Sequence, residues 1–417
     1  MLKKEIIILG ILIALILPIT LSNKPVNSPG YVQGESTEVS DDITEDTTWY
    51  LAGSPYILVK DIKVYTAALL TIEPGVVVKF ANGTELYVAG GLKARGNTTH
   101  PITFTSNFTT PTPGIWDSVI FDGIKEFVID YVLIEYASIG IKLVSVANIS
   151  NSVISNCNTG VQGKLNYANN LTATDNTSNG LSITSSLRIE NSNASHNDGH
   201  GITVTATIDM NNCTVSNNNK TGVVLSNGGY IQNSCIIGNS GNGTSIFGPT
   251  TIKNSTISDN GGDGIWARSG ISITECTIIG NKGNGVKSNF VDEKATIKYS
   301  TISSNGGDGI STNASLEIER CDISYNNGNG VIVHNNVNMS VSASNIQNNT
   351  LTGLSGRGHV SYSNVSGNSG CGIMGNFTVE SFTNITWNQG GGFNGTGRIF
   401  RSSIFNNTPY DAIADIW

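Results

Sequence analysis

A pairing of asparagine and glycine recurs along this chain at a spacing that few folds accommodate. Twelve asparagines each stand four residues before a glycine, from Asn156 and Gly160 to Asn388 and Gly392. The pair returns about every 21 residues, and an apolar residue such as Val161 follows nearly every one of these glycines. Repeats of roughly 20 to 50 residues are typical of solenoids, in which each repeat stacks on the next. We therefore expect a stacked coil.

Apolar residues also recur at fixed distances from each glycine, in a pattern of three short strands per repeat. Strand side chains point alternately to the two sides of a sheet, so these positions predict inward columns. Three strands cannot bury their inward side alone, and each turn must cover the next. The sequence predicts an all-β, single-stranded parallel β-helix of about 18 rungs of about 21 residues.

The repeated asparagine is predicted to form an inward ladder. Its amide both donates and accepts hydrogen bonds, so copies on successive turns can bond to one another. Its short side chain also tolerates the left-handed backbone that we expect at the bend between strands. Removing one amide would leave buried neighbours without partners, so we assign the ladder to the scaffold.

The cysteines provide a test of the repeat. Three of them share the column nine residues before glycine, three and two turns apart, so roughly 14 and 10 Å separate them. A disulfide needs α-carbons closer than about 7 Å. The other three lie in different columns. We predict six free, mostly buried thiols: Cys157, Cys213, Cys235, Cys276, Cys321 and Cys371.

The beginning of the chain has the pattern of an export signal. Two lysines precede residues 6–21, which are apolar and carry no charge. This stretch is short for a membrane span, although an uncleaved N-terminal anchor is the alternative because no clear cleavage motif follows. We expect a signal peptide at 1–22, a flexible polar spacer at 23–48, entry rungs at 49–139 and regular repeats at 140–417. The chain is then extracellular, on the cell surface or periplasmic.

Charge argues against nucleic acid as a partner. The net charge is -8, only 13% of residues are charged, and the 23 lysines and arginines are scattered rather than clustered. Nucleic-acid binding relies on clustered cations that neutralise phosphates. We expect contact with a membrane only through an uncleaved N-terminal segment.

The entry segment carries a resemblance to a known family. The sequence Leu-Thr-Ile-Glu-Pro-Gly-Val-Val-Val-Lys-Phe at 70–80, followed by residues 86–96 and 101–106, resembles the first rungs of secreted β-helix surface proteins. The later repeats are similar to those of copper-associated periplasmic β-helix proteins. The chain thus resembles the right-handed parallel β-helix repeat proteins of the pectin-lyase-like superfamily, and the right-handedness is implied by that resemblance.

The resemblance implies either a polysaccharide enzyme or a non-catalytic binder. Pectate lyases of the family use clustered acidic calcium ligands with an arginine, and its polygalacturonases use three aspartates with a histidine and an arginine. This sequence matches neither set. We assign no catalytic residue and no cofactor, and favour an exported non-catalytic protein that contacts polysaccharide or cell-envelope components. The alternative is a lyase, hydrolase or epimerase with an atypical site.

A metal site is a further alternative at one turn. His196, Asp198 and His200 alternate, so an extended chain could direct all three side chains to one side, and these residue types bind metals. Glycines at 199 and 201 loosen that geometry. Polar turn residues in contact with solvent are the simpler interpretation.

One outward aromatic residue suggests a ligand surface. Trp266 lies two residues after its glycine, with Asp263 and Arg268 on the same rung, Lys287 in its column on the next rung and Asp308 further along. We call these five residues the Trp266 patch, since sugars bind to aromatic rings beside carboxylates and donors. A surface aromatic covered by neighbouring side chains is the alternative.

Two further features are compatible with an exported protein. A second outward aromatic column contains Tyr299, Tyr362 and Phe382. About nineteen N-x-[ST] sequons are also present, Asn82 and Asn97 among them, and they are compatible with glycosylation of an exported chain.

Overall fold

Short parallel strands follow one another along residues 36–290 and 293–416, which are the residues that this computed structural model describes. Except at the two ends of the described coil, every strand pairs with the strand one turn before it and the strand one turn after it. One sheet of 18 strands forms face 1, and a second sheet of 29 strands contains faces 2 and 3, joined by a few long strands. The parallel β-helix predicted from the repeat is confirmed.

Face 1 contains one strand from every turn. Its strands are β1 (Thr37–Val39), β3 (Tyr56–Leu58), β6 (Val77–Phe80), β9 (Ile102–Ser106), β12 (Val132–Glu135), β14 (Val153–Ser155), β16 (Thr172–Thr174), β19 (Asn193–Ser195), β22 (Thr214–Ser216), β25 (Cys235–Ile237), β28 (Thr256–Ser258), β31 (Thr277–Ile279), β34 (Thr301–Ser303), β37 (Asp322–Ser324), β40 (Asn345–Gln347), β42 (Asn364–Ser366), β44 (Asn384–Thr386) and β46 (Ser403–Phe405).

Face 2 precedes face 1 within each turn. Its separate strands are β2 (Thr47–Trp49), β5 (Leu69–Ile72), β8 (Gly91–Arg95), β11 (Phe127–Asp130), β18 (Leu187–Glu190), β21 (Ile208–Asn211), β24 (Gly229–Gln232), β27 (Thr250–Lys253), β30 (Ile271–Thr274), β33 (Lys294–Lys298), β36 (Ser315–Glu319) and β39 (Met339–Ser342).

Face 3 follows each ladder asparagine. Its separate strands are β4 (Ile62–Val64), β7 (Leu86–Val88), β10 (Trp116–Phe121), β17 (Leu181–Ile183), β20 (Ile202–Val204), β23 (Val223–Leu225), β26 (Thr244–Ile246), β29 (Ile265–Ala267), β32 (Val286–Ser288), β35 (Ile310–Thr312), β38 (Val331–Val333) and β47 (Ala412–Ile416). The strands that run through both faces are β13 (Ala137–Ser150), β15 (Thr159–Asn169), β41 (Leu354–Ser361), β43 (Ile373–Glu380) and β45 (Phe393–Phe400). A short 3-10 helix covers Leu51–Gly53.

The core is a set of aliphatic stacks that run from turn to turn. On face 1, Ile257, Ile278, Ile302 and Ile323 occupy equivalent positions on successive strands and are fully buried. Burying such a side chain contributes about 1.5 to 3 kcal/mol. Because like residues stack on like, each turn presents the same inward surface to the next.

The coil begins earlier than the sequence predicts. We expected a flexible spacer at 23–48, yet β1 pairs with β3 within the coil. The acidic residues that suggested flexibility have a structural role here: Asp42 accepts a hydrogen bond from the backbone N–H of Lys63 at 2.9 Å, and Asp46 one from Leu69 at 2.9 Å. The spacer prediction is therefore wrong for residues 37–48. The predicted signal peptide lies outside the described residues.

The asparagine ladder is present, but shifted at its ends. Its buried members are Asn176, Asn197, Asn218, Asn239, Asn260, Asn281, Asn305, Asn326, Asn349, Asn368, Asn388 and Asn407. The prediction that Asn156 is the first member of the ladder is wrong. Cys157 occupies that position, and its backbone N–H donates to Oδ1 of Asn176 at 3.0 Å. At the other end, Asn407 donates to Oδ1 of Asp411 through its backbone N–H at 3.0 Å.

Each regular turn has two corners with left-handed backbone. One is the residue just before the ladder, such as Asn217 with φ of 56°, and the other precedes face 1, such as Asn212 with φ of 51°. The ladder asparagines are not among the residues with positive φ. The predicted left-handed bend is real, but it lies one residue earlier than expected.

The thiols follow the prediction. All six cysteines are free; five are buried and Cys235 is partly exposed. Burial raises the pKa of the Cys157 and Cys213 thiols to about 12. Within the described residues no helix has the length and apolarity needed to cross a bilayer.

Candidate functional site

The structure brings together three members of the Trp266 patch on face 3. Trp266 is in register with Lys287 on the next strand. The guanidinium carbon of Arg268 lies 5.6 Å from the centre of the indole ring, and the Phe247 ring packs edge-on with centroids 5.4 Å apart. These two neighbours cover part of the indole, and Trp266 is only partly exposed as a stacking surface.

Asp263 and Asp308 serve the scaffold instead. Oδ1 of Asp263 accepts the backbone N–H of Asn284 at 2.7 Å and its amide at 2.8 Å. Oδ1 of Asp308 accepts the same two groups of Asn329 at 2.7 and 2.9 Å. Both carboxylates thus hold the next turn in register, and we remove them from the ligand candidates.

The three residues of the metal alternative each contact a different residue on the next turn. The imidazole of His196 lies 3.4 Å from the amide of Asn217, and Asp198 accepts the amide of Asn219 at 2.7 Å. Nδ1 of His200 lies 3.3 Å from the carbonyl oxygen of Thr221, and burial lowers the pKa of this imidazole. In the described part of the chain no three histidine, cysteine or acidic side chains converge as a metal site.

A groove on face 2 was not predicted from the sequence. It has a volume of about 560 Å³ and crosses the turns that contain β33, β36, β39, β41 and β43. We call it the Arg357 groove. Its polar and charged lining side chains include Lys294, Glu317, Arg357, His359, Asn376 and Thr378.

A change in turn shape accompanies the Arg357 groove. In the turn before β41, residues 334–338 separate β38 from β39, whereas β41 continues through both faces without a break. Gly358 permits this path, because a Cβ there would collide with the carbonyl oxygen of Met339. Its φ of 156° also lies in a region that side chains rarely adopt. Arg357 and His359 lie on either side of this glycine.

Ion pairs neutralise one end of the groove. Nζ of Lys298 lies 2.7 Å from Oε1 of Glu317 and 3.0 Å from Oε2 of Glu319, and Lys294 also contacts Glu317. Hydrogen bonds from Lys294 and Lys298 hold the pKa of Glu317 below its ordinary value. These four side chains satisfy one another's charge.

Arg357 differs from them, because it is exposed and forms no ion pair with another described residue. It is in register with Asn376 on the next strand, and His359 is in register with Thr378. Nε2 of His359 lies 3.2 Å from Oε1 of Glu380, with both side chains about 40% exposed. The groove therefore offers one uncompensated cation beside an amide, a hydroxyl and a His–Glu pair.

The second aromatic column lies at the left-handed corners next to face 1. Tyr299, Tyr362 and Phe382 have φ values of 52°, 50° and 62°. The Tyr362 and Phe382 rings lie 6.4 Å apart, whereas Tyr299 is covered on one side by Arg320, 5.4 Å from its ring centre.

Comparison with known proteins gives one family match over part of the chain and several solved structures of low similarity. Residues 248–411 match the family described as the right handed beta helix region. No match was found among curated proteins.

Among solved structures, the periplasmic alginate epimerase AlgG shares 12% identity, with 84% of this chain and 76% of that chain covered and a TM-score of 0.36. The A-module of the mannuronan C-5 epimerase AlgE6 from Azotobacter vinelandii shares 12% identity over 91% of each chain, with a TM-score of 0.30. Pectate lyase Pel9A shares 15% identity over 84% of this chain and 71% of that chain, with a TM-score of 0.25.

Identities of 12 to 15% with TM-scores below 0.5 support no inference about the activity of this chain. The family match, together with the parallel coil of short strands, agrees with the resemblance carried by the entry segment and the repeats. The described residues fold as a parallel β-helix, and residues 248–411 match the family described as the right handed beta helix region.

Proposed function

We propose that this chain is an exported, non-catalytic β-helix protein that binds acidic polysaccharide in the Arg357 groove. The observation that carries the proposal is the exposed guanidinium of Arg357, which has no ion-pair partner among the described residues and lies beside Asn376 in an open groove. A guanidinium pairs with a carboxylate through two parallel hydrogen bonds. Neighbouring amides and hydroxyls then bond to sugar hydroxyls.

The arrangement of charges in the Arg357 groove favours ligand binding over catalysis. A general acid or base works best with a pKa near the pH at which the enzyme operates. Glu317 has its pKa lowered by Lys294 and Lys298, so it stays ionised and paired. The groove thus holds its carboxylates in ion pairs and leaves Arg357 as the group available to an anionic ligand.

Export is supported by the sequence of residues 1–22, which has the charge and apolar pattern of a signal peptide. Fractionation of the native host, with mass spectrometry of the mature N-terminus, tests this part. Detection only in the cytoplasm with the first 22 residues intact would contradict export.

The binding test is affinity electrophoresis of the full chain against polygalacturonate, alginate and uncharged polysaccharides. Arg357→Ala should lower affinity for an acidic ligand about tenfold, because hydrogen bonds to charged groups contribute about 1.5 to 3 kcal/mol. Arg95→Ala is the matched control, since Arg95 is also an exposed arginine on a face 2 strand. Equal affinity of Arg357→Ala and the unmodified chain rejects the groove as the binding site.

One observation favours an enzyme as the second candidate. Glu380 is positioned to orient the imidazole of His359, which lies two residues from Arg357, and a base held by a third group is a recurring catalytic arrangement. A screen for reducing ends, unsaturated uronates and epimerised residues tests it. Turnover that disappears in His359→Ala would replace the non-catalytic proposal with a lyase, hydrolase or epimerase. Binding without turnover rejects the enzyme.

A further inference from the structure

Large aromatic residues occupy backbone positions that do not suit them in the later turns. At the corner before face 1, six successive turns place asparagine in the left-handed conformation, namely Asn151, Asn170, Asn191, Asn212, Asn233 and Asn254. Tyr131 has this conformation in the turn before them, and Glu275, Tyr299, Arg320 and Ala343 have it in the turns that follow. Asparagine tolerates this backbone better than bulky residues do. Tyr362 has the same conformation at this corner, and Phe382 has it at the corresponding corner of the next turn.

Packing in the hydrophobic core does not account for these aromatic residues, because their side chains are exposed. Tyr362 is 63% exposed and Phe382 is 72% exposed. On the opposite corner of the same turn, Trp387 is 64% exposed and also left-handed, with φ of 62°. Phe382 lies two residues before β44 and Trp387 directly after it, so aromatic side chains flank this strand at both ends.

The surface between the two aromatic corners is uncharged. The strands β40, β42, β44 and β46 contain no acidic or basic residue. The first residues of β40, β42 and β44 are Asn345, Asn364 and Asn384, which present amides on successive turns. Asn364 donates to the hydroxyl of Ser366 at 3.0 Å, whereas Asn384 is exposed. We call the area bounded by Tyr362, Phe382 and Trp387 and crossed by Asn364 and Asn384 the aromatic-rimmed strip.

We propose that the aromatic-rimmed strip binds an uncharged polysaccharide. Sugar rings have apolar faces that pack on aromatic rings, and their hydroxyls exchange hydrogen bonds with amides and serine hydroxyls. The rings of Tyr362 and Phe382 lie 6.4 Å apart on one corner, which provides two successive stacking positions along the coil. The strands between the rims carry no charge that would compensate an acidic sugar, so a neutral chain is the matching ligand.

A protein partner matches this surface less well. The core of a protein interface is a continuous apolar area with a polar rim. The strip has the reverse arrangement, because its amides lie in the middle and its rings at the edges. The corner of the following turn carries Arg401, whose guanidinium carbon lies 5.0 Å from the centre of the Phe400 ring. The site lies on face 1, separate from the Arg357 groove on face 2, and goes beyond the proposed function.

The experiment measures binding of the full chain to hydroxyethylcellulose, laminarin and insoluble chitin by affinity electrophoresis and sedimentation. Binding to at least one of these should persist in high salt, which weakens ionic contacts. The variants Phe382→Asn and Trp387→Asn should each lower this affinity at least fivefold. Tyr230→Ala should not, although Tyr230 is 55% exposed on face 2.

Folding is checked by thermal denaturation of the same variants. Because asparagine suits left-handed backbone, Phe382→Asn should unfold at the same temperature as the unmodified chain or higher. The combination of retained stability and lost neutral binding supports a ligand site. Failure of every uncharged probe to bind, or equal binding by the variants, overturns the proposal. Affinity for acidic polysaccharide is measured on the same variants. Phe382→Asn should leave it unchanged and Arg357→Ala should lower it, so a failure of the aromatic-rimmed strip can be told apart from a failure of the proposed function.

Discussion

Asn260 donates two hydrogen bonds to a single atom of Asn281: its amide reaches Oδ1 at 2.9 Å, and its backbone N–H reaches the same oxygen at 3.1 Å. Its amide also donates to the carbonyl oxygen of Ile236 at 3.1 Å. One buried side chain therefore connects three turns of the coil.

Asn260→Ala should destabilise the protein by roughly 3 kcal/mol, because buried groups left without partners cost about 1 to 3 kcal/mol each. The substitution removes the acceptor of both Asn239 donors and one donor to Ile236. Chemical denaturation followed by circular dichroism measures the loss. The control is Asn219→Ala, an exposed amide that donates to Asp198, for which a change within about 0.5 kcal/mol is expected. Equal effects of the two would contradict the ladder's role.

The thiols should differ sharply in reactivity. Thiolate is the reactive form, and burial raises the pKa of Cys157 and Cys213 to about 12 and of Cys276 and Cys321 to about 11. Burial also raises the pKa of Cys235, but this thiol is partly exposed. At pH 8 the folded chain should react first at Cys235, and Cys235→Ser should remove that phase. Full reaction should need denaturant, and rapid modification of all six thiols in the folded state would be inconsistent with the buried positions.

The contribution of Glu85 to the stability of the coil should be smaller at neutral pH than in mild acid. Burial, and then the neighbouring carboxylate of Asp117, raise its pKa above the ordinary value of 4.5. The folded state therefore holds a proton more tightly than the unfolded state, and stability falls as pH rises through this window. Glu85→Gln should raise the melting temperature at pH 7, and the difference should vanish below about pH 4. Glu126→Gln, at an exposed carboxyl, is the control. A Glu85→Gln melting temperature equal to that of the unmodified chain at pH 7 would count against a raised pKa at Glu85.

Trp266→Ala distinguishes a ligand surface from a packed aromatic residue. Because Phe247 and Arg268 cover part of the ring, we expect unchanged affinity for acidic polysaccharide and a loss of about 0.5 to 1.5 kcal/mol of stability from the aromatic pair. Affinity electrophoresis and thermal denaturation of the same sample measure both. A fall in affinity without a fall in stability would restore Trp266, with Lys287, as a binding surface.

Most of the fold could be predicted from sequence because the repeat specifies inward positions many times over. The errors occur where a turn departs from the pattern. Asn156 has the expected spacing to Gly160, but the ladder position belongs to Cys157. The first turn was missed because Asp42 and Asp46 bond to backbone of the following turn, and no local pattern reveals that.

The candidate site was harder to predict, because the Arg357 groove combines side chains from distant turns. Lys294 and Thr378 line the same groove although more than eighty residues separate them. Their alignment depends on turns of unequal length, which a constant period cannot supply. The sequence did contain one local signal, the Gly-Arg-Gly-His sequence at 356–359. In this turn a continuous strand replaces the usual break between faces 3 and 2, and Arg357 and His359 lie on the same side of it.

The asparagine ladder makes the coil insensitive to the length of its loops. The same hydrogen bond, from one side-chain amide to the Oδ1 of the next, joins residues 21 positions apart at Asn260 and Asn281, 24 apart at Asn281 and Asn305, and 19 apart at Asn349 and Asn368. An insertion or deletion between two ladder positions is therefore absorbed within its own turn and does not displace the next. Surface loops can be lengthened, shortened or exchanged one turn at a time, which makes each turn an independent unit of change for an engineer or for natural variation.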